Sequence, residues 1–135
     1  MLKSILSIAG KGGLFKLVSH NGNIIIVESL VDGKRFPSYA RDKVVSLNDI
    51  AMFTETDDIP LRDVLKMMFD LEKGAECTID PKAEGSVLRD YFSKVLPNFD
   101  RERVHNGDIK KLIQWYNILV KAGFTHFEEE NEKNS

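Results

Sequence analysis

In the first part of the chain, apolar stretches alternate with turn residues, which is the pattern of short β-strands joined by tight turns. Four apolar stretches, LKSILSI, LFKLVSH, NIIIVESLV and KRFPSY, are separated by a glycine cluster and by the pairs Asn21-Gly22 and Asp32-Gly33. These pairs are preferred in two-residue hairpin turns. The next stretch, VVSLNDI, predicts a helical turn capped by Ser46 or Asn48. AMFTE predicts a fifth strand.

Five short strands with tight turns predict a small SH3-like or Tudor-like β-barrel over residues 1–55. A closed antiparallel barrel leaves no unpaired edge and needs little core. Pro37 within KRFPSY indicates an edge strand or a bulge, because proline cannot donate a backbone hydrogen bond.

From residue 57 onward the apolar positions recur at helical spacing, which predicts a bundle of about three helices. Pro60 suits a first helical turn, Gly74 and Pro97 end the first two helices, and Asp108 and Gly123 bracket the third. The predicted apolar stripes are Leu61, Val64, Leu65, Met68 and Leu71; Leu88, Tyr91, Phe92, Val95 and Leu96; and Ile109, Leu112, Ile113, Tyr116, Leu119 and Val120.

The apolar arc of the third helix is wider than those of the other two. Trp115, Ile118 and Ala122 extend it, which indicates burial both against the other helices and against the barrel. We therefore predict an α+β protein with a helical domain at 56–127 and a disordered acidic tail at 128–135. One fused α+β domain is the alternative.

Composition narrows the class of protein. The 135 residues are 42% hydrophobic and 30% charged, which favours a folded core. The formal net charge of -2 supplies no global basic field for nucleic acid or anionic membrane. The single cysteine, Cys77, suits a reducing cytosol. No stretch resembles a signal peptide or reaches the roughly 18 apolar residues of a membrane span. We expect a cytoplasmic protein.

The glycine-rich stretch IAGKGGLFK raises the question of a phosphate-binding loop. A P-loop requires Ser or Thr directly after the lysine, at the start of a helix. Here Gly12 follows Lys11, and the residues beyond Gly13 have the pattern of a strand. The stretch therefore predicts a turn that needs positive φ, and no nucleotide cofactor.

The sequence contains no recognisable catalytic or metal-binding constellation. His20, His105 and His126 are far apart, and Cys77 has no cysteine partner. Helix caps and solvated helix faces account for the abundant carboxylates. We predict no catalytic residue, no metal and no cofactor.

A cluster of basic and aromatic residues is the main candidate for a binding site. Its members are Lys34, Arg35, Phe36, Tyr39, Arg41 and Lys43. Basic groups interleaved with aromatic rings can hold a nucleic-acid strand by phosphate contact and base stacking. In the alternative interpretation the aromatics are half-buried strand residues, and the charges keep an edge strand soluble.

Three stretches, SIAGKGGLFKLVS (7–19), RFPSYARDKVVSLNDIAMFT (35–54) and LPNFDRERVHNGDIKKLIQWYNIL (96–119), resemble an uncharacterised bacterial family found chiefly in the Bacteroidetes and known as a domain of unknown function. The resemblance extends over nearly the whole chain up to the acidic tail. It implies a small N-terminal domain joined to a helical C-terminal domain. It implies no activity, so no catalytic residue is carried over.

Two functional hypotheses follow. The first is a non-enzymatic binding or adaptor module that uses the barrel surface for a protein or a single-stranded nucleic acid. The second is an enzyme whose site forms in the cleft between barrel and helices. The sequence leaves the ligand and the oligomeric state open, and it predicts no membrane partner.

Overall fold

A computed structural model describes residues 4–39 and 43–124 of the protein. The strands in this part are β1 Ile5–Ile8, β2 Phe15–Asn21, β3 Ile24–Ser29, β4 Arg35–Tyr39, β5 Val44–Ser46, β6 Ala51–Phe53 and β7 Asp58–Pro60. The α-helices are α1 Leu61–Leu71, α2 Gly85–Val95 and α3 Asn106–Lys121. The predicted α+β class is confirmed. Within the described residues no helix is long and apolar enough to cross a bilayer.

The main sheet is antiparallel, with the strand order β4-β3-β2-β1-β5. Gly22 and Gly33, in the turns that flank β3, have φ of 62° and 74°. Gly10 and Gly13 also have positive φ between β1 and β2. Glycine enters this region without steric cost, so all three predicted turns are confirmed.

A strand at Ala51–Phe53 and a capped helical turn before it are confirmed, but the predicted place of that strand in the main sheet was wrong. The outermost partner of β1 is β5, which lies within the stretch predicted as a helical turn. A 3-10 helix at Leu47–Asp49 follows β5, and its first turn is capped by Ser46 Oγ, which accepts a hydrogen bond from Asn48 N at 3.2 Å. Ala51–Phe53, the predicted fifth strand, instead pairs with β7 in a separate two-stranded sheet. The apolar pattern identified a strand but not its partner.

The main sheet is open in the described residues, so the predicted closed SH3-like barrel is not confirmed. β4 and β5 lie at opposite edges, and no pairing joins them within 4–39 and 43–124. The sheet is nevertheless curved. Tyr39 and Lys43 are four residues apart and so lie within about 15 Å of each other. The outer strands of a flat five-stranded sheet would be about 19 Å apart.

The concave side of this curved sheet is filled by the sheet's own side chains. This inner cluster consists of Leu6, Ile8, Phe15 and Val27, with Leu17, Ile25, Phe36 and Val44 packed against them. Cross-strand partners share a face, and Leu6 is opposite Phe15 just as Val27 is opposite Phe36. All five strands therefore contribute to one small apolar core.

The other face of the sheet joins the helices in a second, larger core. Ile5, Leu14 and Leu47 from the N-terminal half are fully buried in the same cluster as the helical side chains. Trp115 and Ile118 of α3 are half-buried against this cluster. One continuous core thus links sheet and helices. The division into 1–55 and 56–127 stays a prediction, and the tail 128–135 lies outside the described residues.

The predicted helical stripes form most of that larger core. Every stripe residue is buried except Leu71, which is 43% exposed, and Val120, which is half-buried. Ala122, predicted to extend the apolar arc of α3, is exposed. Asp108 caps α3 as predicted, since its Oδ2 accepts a hydrogen bond from His105 N at 2.9 Å. Leu71, in the last turn of α1, is exposed because it borders an open groove between α1 and α2.

We expect Leu14→Ala to lower the free energy of unfolding by about 2–5 kcal/mol, because it opens a cavity in the shared core. Trp115, the single tryptophan, reports on α3. Its fluorescence midpoint in urea should fall together with that of far-UV circular dichroism.

Leu71→Ala is the matched control and should change the free energy of unfolding by about 0.5 kcal/mol or less. A fluorescence midpoint for Leu14→Ala equal to that of the wild type would contradict a core shared by sheet and helices.

Candidate functional site

The structure places Phe36, a member of the predicted binding cluster, on the inner face of the sheet. Alternation along β4 places Phe36 and Ser38 on the inner face, where Ser38 is 1% exposed. The Phe36 ring packs edge-to-face on Phe15, with centroids 5.4 Å apart. Lys11 Nζ lies 4.8 Å from the Phe36 centroid and covers its outer side. Phe36 therefore contributes to the inner cluster rather than to a stacking platform.

The predicted basic residues do not form one patch in the described structure. Lys34 and Arg35 lie at the start of β4, where Arg35 Nε donates to Glu28 Oε1 at 2.9 Å. Lys43 precedes β5 at the other edge of the sheet, and its carbonyl accepts a hydrogen bond from Ala9 N. Arg41 lies outside the described residues. The Glu28 carboxylate also offsets the charge of Arg35.

The exposed side of the β3–β4 hairpin presents an apolar row that the sequence analysis missed. We call it the outer hairpin face; it consists of the cross-strand pairs Ile24–Tyr39, Ile26–Pro37 and Glu28–Arg35. Ile24 is 38% exposed and Tyr39 is 42% exposed. The signal was present in the run NIIIV, since a strand that is apolar at successive positions has two apolar faces. Arg35 and Tyr39 are the members that the sequence identified.

The cleft between the sheet loops and α3, where the enzyme hypothesis placed a site, contains a cavity of about 540 Å³. Its lining residues are Gly12, Gly13, Ser29, Val31, Asp32, Pro81, Gln114, Trp115, Asn117 and Ile118. Asp32 is the one carboxyl group among them, and its Oδ1 accepts a hydrogen bond from Lys34 N at 3.0 Å. Asp32 therefore stabilises a backbone turn, and the residues that line this cavity include no second carboxyl group to form a general acid and base with it.

A second cavity, of about 440 Å³, lies between α1 and α2 and brings together polar groups that are distant in sequence. Tyr91 Oη donates to Glu72 Oε2 at 2.7 Å. The backbone N–H and the hydroxyl of Thr78 donate to the same oxygen at 3.1 and 3.3 Å. Sequence reasoning missed this cluster because Glu72 and Tyr91 are 19 residues apart and meet only through helix packing.

The titratable groups around Glu72 are shifted toward their neutral forms. Burial raises the pKa of the Cys77 thiol above its usual 9.0. Burial, followed by hydrogen bonds to Cys77 and Glu72, raises the pKa of Tyr91. Burial, with the negative charge of Glu72 second, raises the pKa of Tyr116 to about 12. A raised thiol pKa lowers the thiolate fraction, so Cys77 is poorly suited to act as a nucleophile. No group of three metal-ligating side chains converges within the described chain.

Comparison with known proteins gives matches over most of the chain. Residues 50–119 match the family described as Domain of unknown function (DUF6852), and residues 2–47 match Domain of unknown function (DUF5606). A solution NMR structure of a protein from Bacteroides vulgatus is 53% identical, with a TM-score of 0.78, over 98% of this chain and 99% of that chain. No curated protein matches the chain.

We expect alkylation of Cys77 by iodoacetamide to rise with pH to a midpoint above 9.0 in the native protein, because burial favours the neutral thiol. The urea-unfolded chain should show a midpoint near 9.0. The pKa of Cys77 is higher in the native protein than in the unfolded chain. The stability that this difference in pKa contributes is therefore fully present below the unfolded pKa and is lost as pH rises through the native pKa.

Cys77→Ala, which leaves no cysteine in the chain, is the labelling control. A native midpoint below 9.0 would reveal an activated thiolate and contradict the conclusion that Cys77 is poorly suited to act as a nucleophile.

Proposed function

Because the chain belongs to the family described as Domain of unknown function (DUF6852), whose description assigns no activity, we propose a function from the geometry: the protein is a non-enzymatic binding module. Its outer hairpin face holds a protein partner. The observation that carries this proposal is the exposed apolar row of Ile24, Pro37 and Tyr39 on a hairpin at the sheet edge.

An edge hairpin of this kind is suited to a polypeptide partner. β4 pairs with β3 on one side and, among the described strands, with none on the other. An extended segment can add to such an edge by backbone hydrogen bonds, while side-chain contacts give specificity. Ile24 and Tyr39 would receive an apolar side chain of the partner, and Lys34 at the start of the strand would attract an acidic one.

Several observations favour protein over single-stranded nucleic acid. Of the two aromatic residues that the sequence assigned to this site, Tyr39 lies on the outer face and Phe36 lies on the inner face. Arg35 is already paired with Glu28. Stacking of successive bases requires several exposed rings, together with a basic groove along the backbone. The experiments must therefore be able to detect nucleic-acid binding as the alternative result.

Two further predictions belong to this proposal. We propose that the curved sheet is a small SH3-like barrel that is open between β4 and β5, which is supported by the contribution of all five strands to the inner cluster. We also propose a cytoplasmic location, which is supported by the single, half-buried Cys77 with its neutral thiol.

We expect a photo-cross-linking residue placed at Tyr39 to form a discrete protein adduct in a lysate of Bacteroides vulgatus. The same cross-linker at Met67, an exposed apolar residue of α1, is the matched control and should not form that adduct. Ile24→Glu in the Tyr39 cross-linking variant should abolish the adduct, since it places a charge in the apolar row. It should change the free energy of unfolding by about 1 kcal/mol or less.

The alternative partner is tested by polarisation titrations of labelled single-stranded RNA and DNA at two salt concentrations. Salt-sensitive binding that is lost in the double variant Lys34→Ala, Arg35→Ala would assign the surface to nucleic acid instead. Absence of both a Tyr39-specific adduct and nucleic-acid binding would contradict a binding role for this face.

A further inference from the structure

Glu72 occupies an electrostatically unfavourable place. It lies directly after the last residue of α1, at the helix end where the exposed carbonyl groups carry partial negative charge. The last turn of α1 contains no basic residue. The three donors to Glu72 Oε2 are the hydroxyl of Tyr91 and the N–H and hydroxyl of Thr78, all of them neutral. Neither Lys nor Arg forms an ion pair with Glu72 in the described part of the chain.

The negative charge of Glu72 therefore acts on its surroundings without an ion pair, although Lys94 lines the same groove. It contributes, after burial, to the raised pKa of Tyr116. Its second carboxylate oxygen, Oε1, accepts no hydrogen bond from the described residues. The hydrogen bonds to Oε2 fix the orientation of the carboxylate and leave Oε1 available to a ligand. A carboxylate that is held in place but electrostatically uncompensated is complementary to a cation.

The cavity beside Glu72 has the shape and lining for a cation on an aliphatic stem. Leu71, Ile79 and Val87 supply its apolar lining, and Asp90 of α2 supplies a second carboxylate. Leu71 and Val87 are 43% and 40% exposed, so methylene groups that cover them remove apolar surface from water. The cavity of about 440 Å³ is of the size that small ligands occupy.

We propose that this α1–α2 groove binds an alkyl ammonium or alkyl guanidinium group, with the charge at Glu72 and Asp90 and the alkyl stem over Leu71, Ile79 and Val87. This chemistry is shared by a free amine or guanidine and by a lysine or arginine side chain of a peptide. Lys94, one turn beyond Asp90, also lines the groove, so its ammonium group competes with the cation of the ligand for the two carboxylates and disfavours a second positive charge on the ligand. The site is separate from the outer hairpin face and does not depend on it.

The test consists of two titrations, each of which compares a charged ligand with a neutral ligand of the same shape. Binding is monitored through the NMR shifts of the backbone amides in the isotope-labelled full chain. The free-ligand arm compares n-butylguanidinium with neutral n-butylurea. The peptide arm compares an acetylated, amidated Leu-Arg-Leu with the same peptide carrying citrulline. We expect saturable shifts at Leu71, Thr78 and Asp90 with the charged member of a pair and about tenfold weaker binding of the neutral member. Binding of the charged member should weaken as salt is added.

Glu72→Gln keeps an oxygen that can accept from Tyr91 and Thr78 but removes the charge, and it should weaken binding of the cation by about tenfold. Asp90→Asn, at an exposed position, should weaken it less. Asp70→Asn is the matched control, because Asp70 is an exposed carboxylate of the same helix that pairs with Lys66 outside the groove. It should leave binding unchanged.

The two arms distinguish the source of the cation. Binding in the peptide arm alone assigns a side chain of a protein partner, and binding in the free-ligand arm assigns a small amine or guanidine. Equal shifts with charged and neutral probes, no saturable shift in either arm, or wild-type affinity in both Glu72→Gln and Asp90→Asn would overturn the proposal.

Discussion

The main sheet is apolar on both faces, and the rest of the structure depends on how the two faces are covered. Ile5 and Leu6 are neighbours in β1 and point to opposite sides, yet both are buried. Ile5 packs in the core that contains the helices, and Leu6 packs in the inner cluster. The described helices cover one face, and the sheet covers its other face by curving around its own side chains. This curvature lets a short chain bury both faces without a further layer.

The same division determines which surface remains for partners. The helical core reaches Ile5 of β1 and the loop residue Leu14, whereas the outer side of β3 and β4 is left in contact with solvent. Ile24 and Tyr39 are therefore exposed because the helical layer does not extend to the edge of the sheet. Their cross-strand pairing holds them side by side, so their apolar areas adjoin. An exposed apolar row at a sheet edge favours association with another chain.

Local features of the sequence predicted local structure well. Gly22 and Gly33 marked the hairpin turns because positive φ is a property of single residues. The helical stripes were correct because their period repeats within one element. The partner of each strand was harder to predict, since pairing joins residues far apart in sequence. The sequence left open whether Phe36 is a binding residue or a half-buried strand residue, because the apolar run of β3 does not show which side of the hairpin is inner. Glu72 and Tyr91 gave no sequence signal, because their contact arises from the packing of α1 on α2.

The Glu72 cluster shows why an unfavourable charge is informative. Glutamine at this position could accept the same hydrogen bonds from Tyr91 and Thr78 without placing a negative charge at the carbonyl end of α1. The three hydrogen bonds favour the carboxylate, because an ionised acceptor is bound more strongly than an amide oxygen. The carbonyl end of α1 acts in the opposite direction, and the last turn of α1 has no basic residue. A positively charged ligand would offset this effect of the helix end, since it pairs with the carboxylate. The electrostatics of the helix end thus favour the cation of the ligand, and the apolar lining of the groove favours its aliphatic stem.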